Sequence, residues 1–170
     1  PPIATVTGRV ACTWPIMVDH FAFLHGIVPA GSIAKMTIPS PSMLHYRAGR
    51  AGIDAKVYPK MEDYYGDLGR AYKKAIRAFY DAGCRYLQLD DTSLAYFCDP
   101  EQIKMIRARG EDPDEVMRQY RDTLGIALDG RPGDMTITTH TCRGNFRSTF
   151  VASGGYEPVA DMVFNRIDVD

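Results

Sequence analysis

The 170-residue chain has the length of about one domain, and with 45% hydrophobic and 24% charged residues it has the composition of a globular protein with enough apolar material for a core. A formal net charge of −1, with the basic residues scattered, gives no electrostatic case for nucleic acid or an anionic membrane as partner. No apolar run approaches the roughly 18 to 20 residues that a membrane-spanning helix needs, so the chain reads as soluble and cytoplasmic, and its start at Pro1 without methionine suggests that N-terminal sequence is missing.

In chain order, residues 2–7 are a short β-rich run ended by Gly8 and form the first expected strand. Residues 14–25 follow as a helix, with Pro15 at a first helical position and Gly26 as the stop. Residues 32–38 read as the second strand, closed by Pro39-Ser40-Pro41-Ser42, a long polar loop. From Met61 to Ala82 the apolar positions Leu68, Tyr72, Ala75, Ile76 and Phe79 recur at helical spacing, and Gly83 stops the helix. Residues 85–91 form a third strand whose apolar stretch ends in Asp90 and Asp91. Two helices come next. Asp99-Pro100 opens one that stops at Gly110, and Asp112-Pro113, with Glu115 at the capping-box position, opens one that stops before Gly130. Residues 135–139 are the fourth strand, 143–156 a loop, and 158–167 a final helix.

Regular strand–helix alternation argues for a parallel sheet with right-handed crossovers. Polar residues gather after the carboxyl ends of the strands at Ser40, Asp90, Asp91, His140 and Cys142, as in a (β/α)8 barrel or a doubly wound sheet. Neither a G-x-G-x-x-G after the first strand nor a P-loop is present, which weakens a nucleotide-binding version.

The fourth strand delivers His140 and Cys142 to its own tip. Side chains alternate along a strand, so the two face the same way and could share a metal ion. His-x-Cys alone is more often two unrelated residues than a pair of metal ligands, and Asp90, Asp91, Cys98 and Cys12 are further donors that spacing does not compel into one site. Adjacent strand residues face opposite ways. Of the aspartates, Asp90 is therefore expected to face the site, where a carboxylate suits a substrate ammonium group, while Asp91 caps or orients the next segment. His20 and His25 fit packing or surface roles, and His45 is a lesser candidate for ligand contact. The four cysteines follow no disulfide spacing and read as reduced thiols, with Cys84 buried as a small apolar residue.

Together these residues bear a family likeness. Leu87-Gln88-Leu89-Asp90-Asp91-Thr92-Ser93-Leu94 resembles the strand-end Gln-Ile-Asp-Glu-Pro-Ala-Leu of the cobalamin-independent methionine synthases, and Thr139-His140-Thr141-Cys142 resembles their His-x-Cys zinc motif in the same order. Pro1-Pro2-Ile3 and residues 35–41 are similar to the second and third strands of that family's C-terminal catalytic barrel. The likeness is closer to the shorter, single-domain methionine-synthase-II-like relatives, which carry Leu-Asp-Asp-Thr-Ser and His-x-Cys-Arg-Gly-Asn-Phe-Arg-Ser as here.

The resemblance implies a zinc-dependent methyltransferase acting on a thiol such as homocysteine, with methylfolate or a methylcorrinoid as donor. It makes His140 and Cys142 metal ligands and assigns Asp90 and Asp91 to substrate binding, with Asp90 receiving the amino group. Asp91 stands where the family usually has glutamate, and Thr92 where it has proline. The family's other two zinc ligands come from later strands. The expected fold is thus a partial (β/α)8 TIM barrel, about four βα units corresponding to strands two to five, with residues 1–170 one partial domain that is active only in the complete barrel and can associate to complete it. The alternatives are a uroporphyrinogen-decarboxylase-like or other metal-free barrel lyase, in which Asp90 and an arginine act on carboxylated substrates, and a non-catalytic truncated half-barrel.

Overall fold

The structure is a computed structural model that describes residues 5–14, 16–145 and 147–170. Three strands, β1 (Lys35–Pro39), β2 (Tyr86–Asp91) and β3 (Thr136–Thr141), form one parallel sheet in the order β1-β2-β3. The helices are α1 (Val18–Ile27), α2 (Met43–Tyr46), α3 (Met61–Asp81), α4 (Ser93–Tyr96), α5 (Pro100–Ala108), α6 (Pro113–Leu128) and α7 (Glu157–Asn165), with a 3₁₀ turn at Gly49–Gly52.

The expectation of about four barrel units is therefore corrected. The fold is α/β, but among the described residues the sheet has three strands, and the expected first strand does not join it. Of residues 2–7, Pro2, Ile3 and Ala4 lie outside the described residues. Val6 makes one isolated parallel bridge to Ile53, through Val6 N–H to Gly52 O and Asp54 N–H to Val6 O. It pairs with the segment after the 3₁₀ turn rather than with β1. Among the described residues 5–7 the pairing is this one bridge, and the hydrophobic pattern does not specify which backbone the run meets.

The α1 boundary also moves, and Pro15 is outside the described residues. The helix begins after Met17, which has φ 64°, and runs through Gly26 to Ile27. Its end is set by Pro29, which disfavours helical backbone at Val28, where ψ is 129°. β1 is shifted too, running from Lys35 to Pro39 rather than over residues 32–38, whereas the caps of α5 and α6 fall where the sequence places them. Asp99 caps α5 by accepting from Glu101 N–H, and Asp112 caps α6 by accepting from Asp114 and Glu115 N–H.

Burial alternates along the strands. Met36 and Ile38 of β1, Leu87 and Leu89 of β2 and Ile137 of β3 enter one apolar cluster with Phe21 of α1, Ile76 and Phe79 of α3, Leu124 and Leu128 of α6 and Met162 of α7. The intervening residues face the other way. Lys35, Thr37 and Pro39 are exposed, Tyr86, Gln88 and Asp90 half-buried, and Thr136 and His140 exposed. All-parallel sheets are ordinarily covered on both faces and read as continuous apolar runs. Here the polar alternates leave one face open among the described residues, and that face carries the chemistry-bearing residues of β2 and β3.

Helices α3 and α6 form the closest helix pair behind the sheet. Gly69 of α3 lies so near α6 that a Cβ there would sit 2.8 Å from Ile126 Cβ and 2.9 Å from the Thr123 carbonyl oxygen. Alanine has the better helix propensity by roughly 1 kcal/mol, but this contact reverses the sign. Gly69→Ala is expected to destabilise by about 1–3 kcal/mol in urea unfolding. Gly125, in α6 with open space around it, is the control. Gly125→Ala is expected to stabilise by up to about 1 kcal/mol.

Candidate functional site

The carboxyl ends of β1, β2 and β3 lie side by side, with Pro39 in register with Asp90 and Asp90 in register with His140. Cross-strand neighbours in a parallel ladder share a face. Asp90 and His140 therefore occupy adjacent positions on the open face, one row beyond Gln88 and Thr138, which are also in register. Cys142 follows β3 by one residue and is half-buried. The structure thus brings Asp90 and His140 together at neighbouring strand tips. No group of three or more histidine, cysteine or acidic side chains placed to hold a metal occurs among the described residues. Cys12 and Cys98 join no such group.

The two aspartates differ in what their oxygens do. Asp91 is fully buried, and its Oδ2 accepts from the hydroxyls of Ser40 and Ser42, each at 2.7 Å. Its Oδ1 accepts from Ser93 Oγ at 2.7 Å and from Leu94 N–H at 3.1 Å. A carboxylate has about four lone-pair positions. All are filled by protein donors from the loop after β1 and the first turn of α4. Asp90 presents the opposite case. Its Oδ1 accepts one bond, from Gln88 Nε2 at 3.0 Å. Among the described residues no other hydrogen bond reaches that carboxylate, so it retains capacity for an external cation.

Helix α2 occupies part of what the sequence reads as a polar loop, and it buries His45. The imidazole Nδ1 is 2.8 Å from Tyr120 Oη, and Nε2 is 3.0 Å from Glu111 Oε1. Tyr64 and Tyr65 stand around the ring. Arg109 Nε lies 3.2 Å from the other Glu111 oxygen, and Arg50 N–H donates to Oε1. Burial pushes the Glu111 carboxyl up, but the His45 contact, Arg109 and the Arg50 amide outweigh it and hold the group below its ordinary value. Burial pushes the Tyr64 phenol up to about 12 and the Tyr120 phenol well above its ordinary range, so both stay neutral hydroxyls. Enclosed by tyrosines, His45 ties α2 to α6 and the α5–α6 connection.

His25 stacks on Phe21, and His20 is exposed. Cys84 is fully buried. Sequence reasoning places Ser40 among the polar residues at the strand ends but assigns no role to it, to Ser42 or to Ser93, which hold Asp91, nor to Gln88, which holds Asp90. Their signal was available in part. Serines immediately after the tips of β1 and β2 are short donors beside a carboxylate that has nowhere else to point.

No protein-family model matches the chain. It is 46% identical over 165 residues to the uncharacterized protein YxjH of Bacillus subtilis strain 168, and 42% identical over 165 residues to the uncharacterized YxjG of the same strain. Each alignment takes in 97% of this chain and 43% of the relative, so the chain spans less than half the length of the curated relatives it matches. Among solved structures it is similar to a Listeria monocytogenes protein that carries the provisional description vitamin-B12-independent methionine synthase. That match has a TM-score of 0.79 and 42% identity, and covers 96% of this chain and 45% of the other. No helix among the described residues is long and apolar enough to cross a membrane.

Two expectations follow. Asp91→Ala strands three buried hydroxyls and opens a cavity, and is expected to cost about 3 kcal/mol or more in urea unfolding, whereas Asp90→Asn is expected to cost less than about 1 kcal/mol. The second concerns pH. Because the Glu111 carboxyl titrates below its ordinary value of 4.5 in the folded chain, the stability it contributes is complete above about 4.5 and disappears as pH falls through the lower, folded value. Glu111→Gln is expected to flatten the dependence of unfolding free energy on pH in that acid range, and an unchanged acid slope would contradict the assignment.

Proposed function

We propose that the strand tips carry part of a site for zinc-dependent transfer of a methyl group to an amino-acid thiol, with homocysteine as the acceptor and methylfolate or a methylcorrinoid as the donor. The observation that carries the reading is the placement of Asp90, its carboxylate largely free of protein donors, in direct register with His140. The likeness to the Listeria protein across 96% of the chain supports it. In this reading Asp90 binds the substrate ammonium by a charge-assisted hydrogen bond. Asp91, which the resemblance also assigns to the substrate, serves it indirectly, since its four acceptor positions are taken up in fixing the Ser40–Ser42 and Ser93–Leu94 segments beside the site.

His140 and Cys142 are a nitrogen and a sulfur donor of the kind zinc takes, exposed and half-buried respectively. Bound there, zinc would supply stabilisation of the acceptor sulfur as thiolate, the nucleophilic form. A catalytic zinc site takes three protein ligands and keeps one position open. Two donors hold the ion weakly, so turnover requires further donors than these two.

The test is metal and ligand binding by the chain. Zinc is expected to bind with low affinity, to bind still more weakly to Cys142→Ser, and to bring homocysteine with it in the wild type. Undiminished zinc affinity in Cys142→Ser would sink the ligand assignment, and homocysteine binding that ignores Asp90→Asn would sink the substrate assignment.

A further inference from the structure

Asp90 and His140 stand directly opposite each other on neighbouring strands and share the open face. Strands about 4.8 Å apart put a carboxylate and an imidazole in register on one face within reach of each other, so the two could pair. Among the described residues no ion pair or hydrogen bond joins them. The carboxylate is engaged instead along its own strand, by Gln88 Nε2 at 3.0 Å from Oδ1. Gln88 lies two residues before Asp90 on the same face, between Thr37 and Thr138 in the row below. A donor there draws the carboxylate toward the floor of the face. A neutral amide does this without cancelling the negative charge.

From this geometry we infer that Gln88 is a positioning residue that holds the Asp90 carboxylate away from His140, so that the two groups stay available to separate ligands. The inference rests on Asp90 as the acceptor of the substrate ammonium. Without the Gln88 amide, the carboxylate is free to turn across the ladder and pair with the imidazole. That pairing would use up the charge that recognises the ammonium and a nitrogen that would otherwise face a metal. Gln88 thus determines specificity for an amino-acid ligand over the same molecule without its amino group. The effect differs from a loss of packing, which would weaken both ligands alike.

The experiment compares L-methionine with 4-(methylsulfanyl)butanoic acid, its analogue lacking the amino group, titrated calorimetrically into the whole chain without added metal. The wild type is expected to prefer methionine by about tenfold, the worth of one charge-assisted hydrogen bond. Gln88→Met keeps the length and removes the donor, and is expected to lose most of that preference while its affinity for the analogue is unchanged. Adding His140→Ala to Gln88→Met removes the competing imidazole and is expected to restore the preference. Full preference in Gln88→Met would overturn the inference, as would failure of the double variant to recover. Asp90→Asn separates the underlying reading from the inference. A wild type with no preference, or an Asp90→Asn chain that keeps it, removes the role of Asp90 itself, whereas loss in Asp90→Asn with none in Gln88→Met removes only that of Gln88.

Discussion

A carboxylate sealed from water has to find a donor for every lone pair, and Asp91 does so with four groups drawn from two loops. Burying an unpartnered charge would cost several kcal/mol, enough to offset much of the stability of an ordinary domain. The requirement therefore constrains everything within reach of it. It pulls Ser40 and Ser42 against the end of β2 and starts α4 at Ser93. Ser40 N–H continues the ladder by donating to the Asp90 carbonyl. The tips of β1 and β2 become one rigid unit.

The strand geometry that buries Asp91 also turns Asp90 outward. Alternation along β2 sends one carboxylate inward to four donors and its neighbour outward to one. Two chemically identical side chains acquire separate duties from a single peptide step. Inside, the carboxylate is saturated and structural. Outside, it remains an acceptor at the edge of an open, polar sheet face beside His140. Among the described residues the helices behind the sheet make this division possible by covering the side that carries Leu87, Leu89 and Asp91 and leaving the side that carries Gln88 and Asp90. A second layer over the open face would leave the Asp90 charge to be neutralised within the protein.

The tyrosine-lined pocket around His45 shows the same physics in another place. His45 is buried and Glu111 nearly so, and the contact with His45, the Arg109 guanidinium and the Arg50 amide hold the carboxyl below its ordinary value against its burial. A histidine in a loop after a strand makes a lesser candidate for ligand contact from sequence. Burial among Tyr64, Tyr65 and Tyr120 instead makes it a bracket between α2 and α6.

The amino-acid sequence by itself determined whatever depends on neighbours in the chain. The Asp-Pro openings of α5 and α6, the apolar stripe of α3 with Gly83 beyond it, and the alternation that sends Asp90 and Asp91 to opposite sides all follow from local hydrogen bonding and the two periods of side-chain direction. What only the tertiary structure decided depends on distant backbone. Whether residues 5–7 extend the sheet or bridge to Ile53 turns on which partner is nearer once the chain is compact. That Ser40 and Ser42 meet Asp91, about fifty residues away along the chain, turns on β1 pairing with β2 in one register. The placement of Asp90 beside His140 likewise comes from that sheet and from no spacing along the chain, because register between strands is set by how the strands pack, whereas the Gln88 amide meets the Asp90 carboxylate by the two-residue period of β2 itself.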